Sequence, residues 1–253
     1  MIDNKRLFVV SCYYDGSNEA IFDCTNSILT FYENPKIVVV DSDSPNKDYF
    51  EKLKSKSIEI LDVKNKNYDT GAYWIAFNKY DYFENYYFLQ DSVRFKRNFS
   101  DHEKNDFTSF RYWHSIDKVG GFIIDKTKKK FLTKLYDFFK NNPKIHDIYG
   151  FDSEEQLNWC RAQLKKTNYF FPKVWLNLFG PIFFCKNKVM KSLKKNNFNY
   201  ILPTNKLEQM GMERLFGIAL QQDGFDVSNS IQGENFTNPY NTNDFEKFFF
   251  KRN

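Results

Sequence analysis

The chain has 253 residues, enough for one α/β domain with a sizeable core, and 29 of those residues are Phe, so rings rather than aliphatic chains alone must fill it. With 37 basic against 32 acidic residues the net charge is +5. That balance is too even for the clustered positive charge of a nucleic-acid binder, though it suits an anionic small ligand or an anionic membrane face.

No run reaches the ~18 apolar residues that a membrane span needs. Residues 1–6 lack the apolar stretch of a signal peptide, so a cytoplasmic location is expected. Cys12, Cys24, Cys160 and Cys185 form no CxxC pair, and His102, His114 and His146 do not join them at metal-ligand spacing. They are expected to be reduced and buried.

In chain order, residues 7–12 (LFVVSC) predict a buried strand and 19–32 a helix capped by Asn18 or Ser17. Residues 36–40 (KIVVV) predict a second strand, 48–56 a short helix and 58–63 (IEILDV) a third strand. A helix over 70–80 opens on Gly71-Ala72, and 86–89 (YYFL) is a fourth strand. Continuous apolar strands separated by helices imply a mainly parallel sheet covered on both faces. Ligands of such sheets bind beyond the carboxyl ends of the strands. Further on, 119–124 and 180–185 predict strands, and 128–141, 153–166, 188–195 and 213–223 predict helices, the last ending at Gly224. The aromatic and basic segment 245–252 (FEKFFFKR) packs as a terminal helix or touches an anionic membrane. No linker or repeat divides the chain, so a single domain over 1–253 is expected, with residues 6–95 as its ligand-binding half.

Three early strands end in polar residues that a parallel sheet brings to one edge. Tyr13 and Tyr14 follow the first, Asp41 ends the second, and Gln90-Asp91-Ser92 ends the fourth. An Asp there accepts from a base or ribose, or binds a divalent cation that holds a diphosphate. An aromatic there stacks on a base. Asp and Ser after a strand also serve as turn formers and helix caps. Between strand three and its helix, NKNYDTGA (65–72) offers small residues near a helix N-terminus, where free N–H groups favour anions. Asp69 either caps that helix or contacts the ligand.

This order of motifs resembles the GT-A glycosyltransferases, and within them the short family-2-like enzymes of polysaccharide and surface-glycan synthesis. NKNYDTGA is similar to their N-x-G-x-D-x-G-A segment, with Asn67 in place of Gly, and LQDSV (89–93) stands where they carry D-x-D. The resemblance implies a nucleotide-sugar donor site formed by Tyr13, Asp41, Asp69, Gly71, Gln90, Asp91 and Ser92. It implies transfer to a glycan, lipid-linked or protein-linked acceptor. Asp91 becomes the ligand of Mn²⁺ or Mg²⁺; Ser92 in place of the second Asp leaves open a site that uses Lys or Arg and no metal. Gly211-Met212-Glu213-Arg214 resembles the x-E-D element of inverting enzymes, which makes Glu213 the base at a helix start, with Asp152 as its rival. Trp175 and Gly180 are the expected acceptor contacts. Two other readings stand beside this one: a catalytically degenerate domain that binds glycans or partners, and a nucleotidyltransferase. The latter lacks its Gly-rich basic loop after strand one.

Overall fold

Residues 5–119, 121–123, 147–232 and 244–247 are described in the structure, a computed structural model. The first half runs β1 (Arg6–Cys12), α1 (Ala20–Phe31), β2 (Lys36–Asp41), α2 (Tyr49–Lys54), β3 (Glu59–Leu61), α3 (Tyr68–Lys79), β4 (Asn85–Gln90) and β5 (Val93–Phe95). The second half adds β6 (Phe107–Ser109), β7 (Tyr112–Val119), β8 (Gly121–Ile123), β9 (Asp147–Phe151), α4 (Glu154–Leu164), β10 (Val174–Leu178), β11 (Phe183–Lys186), α5 (Asn187–Lys195), α6 (Lys206–Gln222) and β12 (Phe245–Lys247).

The central sheet has the order β3-β2-β1-β4-β11-β6. Its first four strands are parallel, and β11 runs antiparallel to both β4 and β6. The α/β expectation is therefore met. Alternate residues of each strand feed two cores, one on each face. Leu7, Val9, Val38, Tyr86 and Phe88 pack with Tyr73 and Phe77 of α3 and Leu215 and Phe216 of α6. Phe8, Val10, Val39, Tyr87 and Leu89 pack with Ile21 and Ile28 of α1 and with Phe95 and Phe184. Phe8 and Tyr87 stack with centroids 4.4 Å apart, and Phe88 meets Phe183 at 5.0 Å. Full burial of each such ring is worth roughly 1.5–3 kcal/mol, which is why a Phe-rich chain closes this sheet without long aliphatic runs. The four cysteines are free and buried, as expected.

A second sheet, β10-β7-β9-β8, lies beside the first. The second half departs from the sequence-based expectations at several places. The expected strand over 119–124 is split, because Val119 ends β7 and 121–123 form β8. The strand expected from Gly180 starts only at Phe183, after a turn in which Ile182 N–H donates to the Phe179 carbonyl at 3.2 Å. The final long helix begins at Lys206 rather than at Glu213, capped by Asn205, whose side chain accepts from Glu208 N–H. The helix expected over 128–141 lies outside the described residues. Residues 245–247 are not helical. They form a strand antiparallel to β5, with Phe245 opposite Phe95 and Lys247 opposite Val93. Among the described residues no helix is long and apolar enough to cross a membrane.

Candidate functional site

Register brings the polar strand ends together. Ser11 pairs with Gln90 and Cys12 with Asp41 across β1. Beyond the strands, Asp91 N–H donates to the Ser11 carbonyl at 3.0 Å and Ser42 N–H to that of Cys12 at 2.8 Å. A cavity of about 530 Å³ opens at this edge, lined by Ser11, Tyr13, Ser42, Asp43, Asn65, Lys66, Tyr68 and Asp69. A larger cavity, about 780 Å³, lies at the opposite end of the sheet, where β1 and β2 begin. Two of its cations are already committed, Arg6 to Glu103 and Lys36 to Glu59. The carboxyl-end cavity is therefore the candidate site.

Its walls are built by a short, tightly bonded loop. Asn65 donates to the Tyr68 carbonyl at 2.7 Å and to Ser42 Oγ at 3.1 Å, and its Oδ1 accepts from Asn67 N–H at 3.0 Å. Asn67, which stands where the similar segment has Gly, sits at φ −108°, and the positive φ of the loop falls on Tyr68, at 53°. A bulky side chain at positive φ is uncommon and is held at a cost of order 1–2 kcal/mol. Here it turns Tyr68 to the cavity that Tyr13 also lines. The loop requires a glycine at 71, because a Cβ there would stand 2.4 Å from Asn65 Oδ1 and 2.6 Å from Asn67 Cβ.

The other expected site residues divide into two groups. Asp41 is fully buried and does not line the cavity. It accepts from Tyr49 OH at 2.6 Å and Ser44 N–H at 3.2 Å and pairs with Lys47. Burial pushes its carboxyl up, but the bonds from Lys47, Ser44 and Tyr49 outweigh that and hold it below the usual range. Tyr14 is core, 5.0 Å from Tyr49. Trp175 is also core, 3% exposed, against Phe151 and Phe171, with its indole N–H on Asn177 at 2.5 Å. Asp152 is exposed and pairs with the buried Arg214 at 3.3 Å.

Asp69, Gln90, Asp91, Ser92, Gly180 and Glu213, by contrast, form one cluster. Gln90 Nε2 donates to Asp69 Oδ2 at 2.6 Å and to the Gly180 carbonyl at 2.9 Å. Gln209 reaches the same Asp69 oxygen at 3.4 Å. Gly180, at φ +61°, turns its N–H onto Glu213 Oε1 at 3.1 Å. Glu213 lies in the interior of α6, not in a first turn, so the helix dipole does not explain it. Loss of water pushes its carboxyl up to about 7, against the pull of Arg214, Lys206, the Gly180 N–H and Lys247. Asp91 is 6% exposed, and its Oδ2 accepts from Tyr13 N–H at 3.2 Å.

Lys247 completes the cluster. It is 8% exposed and donates to Ser92 Oγ at 3.2 Å and to Gln90 Oε1. Burial pushes its ammonium down to about 8, against Asp69, Asp91 and Glu213, which favour the charged form. No sequence expectation placed Lys247 or Gln209 among the site residues. The signal for Lys247 was slight: in Phe245-Glu246-Lys247 a strand buries the first and third residues, and the third is a charge.

The resemblance to metal-using enzymes raises the question of a divalent ion. Asp91 offers one carboxylate here. The neighbouring oxygens of Ser92 and Gln90 that would complete a coordination shell both accept from an ammonium. Among the described residues, no group of three or more His, Cys, Asp or Glu is arranged to hold an ion. The Tyr73 hydroxyl, wholly buried and influenced by Asp69 and Asp91, has no hydrogen-bond partner among the described residues. The donor set does not fit a resident divalent cation.

No protein-family model and no curated protein matches the chain. Among solved structures it is similar to GalNAc-T7 with UDP, GalNAc and Mn²⁺, at 15% identity and a TM-score of 0.36 over 44% of this chain and 23% of that one. It is also similar to residues 1–349 of S. aureus TarS, at 13% identity and a TM-score of 0.41 over 83% of this chain and 54% of that one. The complex of that TarS fragment with UDP gives 13% identity and a TM-score of 0.37, covering 63% and 64% of the two chains. The chain thus spans from 23% to 64% of the length of these structures.

Proposed function

We propose that the protein is a glycosyltransferase of the GT-A type, moving a sugar from a nucleoside-diphosphate donor to a hydroxyl of a glycan, lipid-linked or protein-linked acceptor. The observation that carries this reading is the convergence at one sheet edge. A cavity flanked by two half-buried tyrosines, Tyr13 and Tyr68, adjoins the Asp69–Gln90–Gly180–Glu213 chain of hydrogen bonds. A nucleobase fits between aromatic faces, and the diphosphate and sugar then extend toward Asp69, Asp91 and Ser92.

In the reaction the bond from the anomeric carbon to the diphosphate oxygen breaks, and its electron pair leaves with the nucleoside diphosphate. The acceptor oxygen forms the new bond and surrenders its proton. Glu213 is the group we assign to receive that proton. A carboxyl poised at about 7 is matched to this task at neutral pH. Asp152 is the poorer choice, since its carboxylate is exposed and committed to Arg214. In this proposal the acceptor oxygen attacks the face opposite the departing diphosphate in one displacement, so the product has inverted anomeric configuration.

The test is release of nucleoside diphosphate from a panel of nucleotide sugars, beginning with UDP-sugars because GalNAc-T7 and TarS were crystallised with UDP. Product anomers are then read by NMR. Absence of both turnover and nucleotide binding overturns the proposal, and a product of retained configuration removes Glu213 as the base.

A further inference from the structure

A departing nucleoside diphosphate accumulates negative charge, and the protein must meet it with a cation or oriented donors. At the end of β4 the atoms that would complete a metal shell around Asp91 already face a cation. Lys247 donates to Ser92 Oγ at 3.2 Å and to Gln90 Oε1. A metal ion on those oxygens would be repelled by the ammonium and deprived of its ligands.

The lysine is also held in place rather than trailing. Lys247 stands opposite Val93 and Phe245 opposite Phe95, so both side chains point inward. Phe245 is 1% exposed and packs edge-on against Phe110 at 4.5 Å. Outside the strand, Asp244 accepts from Lys96 N–H at 2.9 Å and pairs with Arg97 at 2.7 Å. Burying an ammonium is costly unless it is paired. The acidic residues whose fields reach it are Asp69, Asp91 and Glu213, the residues of the candidate site itself.

We propose that Lys247 is the built-in cation of this site: held by Gln90 and Ser92, it supplies the positive charge that binding and release of a nucleoside diphosphate require, so that neither depends on a divalent ion. This rests on the nucleotide-sugar reading above. Lys247 touches the side-chain oxygens of Gln90 and Ser92 and acts on the diphosphate through its charge. Its removal therefore affects the phosphate part of a ligand and spares the nucleoside part.

The experiment titrates the full chain with UDP, GDP, CDP and TDP, each in EDTA and again with Mn²⁺. The matching nucleosides serve as controls, as do Lys247→Gln and Lys247→Arg. The wild type is expected to bind one nucleoside diphosphate in EDTA within about twofold of its affinity in Mn²⁺. Lys247→Gln is expected to lose that affinity by about tenfold or more while binding the nucleoside unchanged, and Lys247→Arg, which keeps the charge, to recover most of it. Binding by the wild type that EDTA abolishes and Mn²⁺ restores overturns the role of Lys247 but keeps the nucleotide reading. Unchanged diphosphate affinity in Lys247→Gln overturns it equally. Failure of every diphosphate to bind under either condition overturns both. The EDTA arm uses the wild type alone, so it decides even if a variant fails to fold.

Discussion

The amide of Gln90 donates to Asp69 Oδ2 at 2.6 Å and, from the same nitrogen, to the Gly180 carbonyl at 2.9 Å. One side chain at the end of β4 thereby ties the first turn of α3 to the turn that enters β11, and its oxygen holds Lys247. Replacing Gln90 by Leu leaves the Asp69 carboxylate, among the described residues, with the hydrogen bond from Gln209 at 3.4 Å and takes an acceptor from a buried ammonium. We expect a stability loss of about 1–3 kcal/mol in urea denaturation. Loss of nucleotide binding should exceed what that destabilisation accounts for.

Glu213→Gln preserves shape and the bond from Gly180 while removing the proton acceptor. Turnover should fall by roughly 10²–10⁴-fold with KM little changed. In the wild type the rate should rise with pH through about 7 as Glu213 loses its proton, under the influence of Arg214, Lys206, Lys247 and the Gly180 N–H. The sign for stability is opposite. A carboxyl raised from 4.5 to about 7 favours the protonated folded state, so wild-type stability declines between those values as pH rises. Glu213→Gln should lack that decline, and urea midpoints measured at several pH values check it.

Asp41→Ala tests a residue that the motif order places with the ligand and the fold places in a bonded interior. It leaves Tyr49 OH and Ser44 N–H without that acceptor, and Lys47 with Asp62 at 3.0 Å. The expected loss is about 2–4 kcal/mol at neutral pH. Because the Asp41 carboxyl is held below its ordinary value of 3.8, its stabilisation is present above that value and disappears on acidification. The urea midpoints of wild type and variant should therefore converge as pH falls below the carboxylate range.

Gly217 lies in α6 where the helix crosses β10. A Cβ there would stand 1.9 Å from the Leu176 carbonyl oxygen and 2.9 Å from Asn177 Cα. Backbone on both sides cannot give way, so Gly217→Ala should cost about 3 kcal/mol or more, seen as a large fall in Tm or loss of soluble protein. Gly224→Ala meets nothing within 4 Å and bears only the penalty of its φ of +84°, about 1–2 kcal/mol.

Continuous apolar runs in the amino-acid sequence were sufficient to predict β1, β2, β3 and β4 and the helices between them. A strand buried on both faces needs such a run, and a parallel pair needs a crossover. The gathering of Gln90, Asp91 and Ser92 at the carboxyl ends of those strands followed from the same logic, with Asp69 brought there by the segment after β3. The residue types alone did not separate Asp41 from Asp91. Both follow a strand, yet one is enclosed by Tyr49, Lys47 and Ser44 and the other meets Tyr13 N–H beside Lys247. That difference depends on which neighbours reach each carboxylate, and those neighbours come from other parts of the chain. Trp175 became core for the same reason: Phe151 and Phe171, from other parts of the chain, pack against it. The cation of the site was the least legible feature, because Lys247 lies 155 residues from Ser92 and three residues of strand carry no periodic signal. Sequence by itself determined the sheet and the edge at which its polar residues gather; tertiary contacts decided which charges meet there, since charge pairing depends on distance in space and not along the chain.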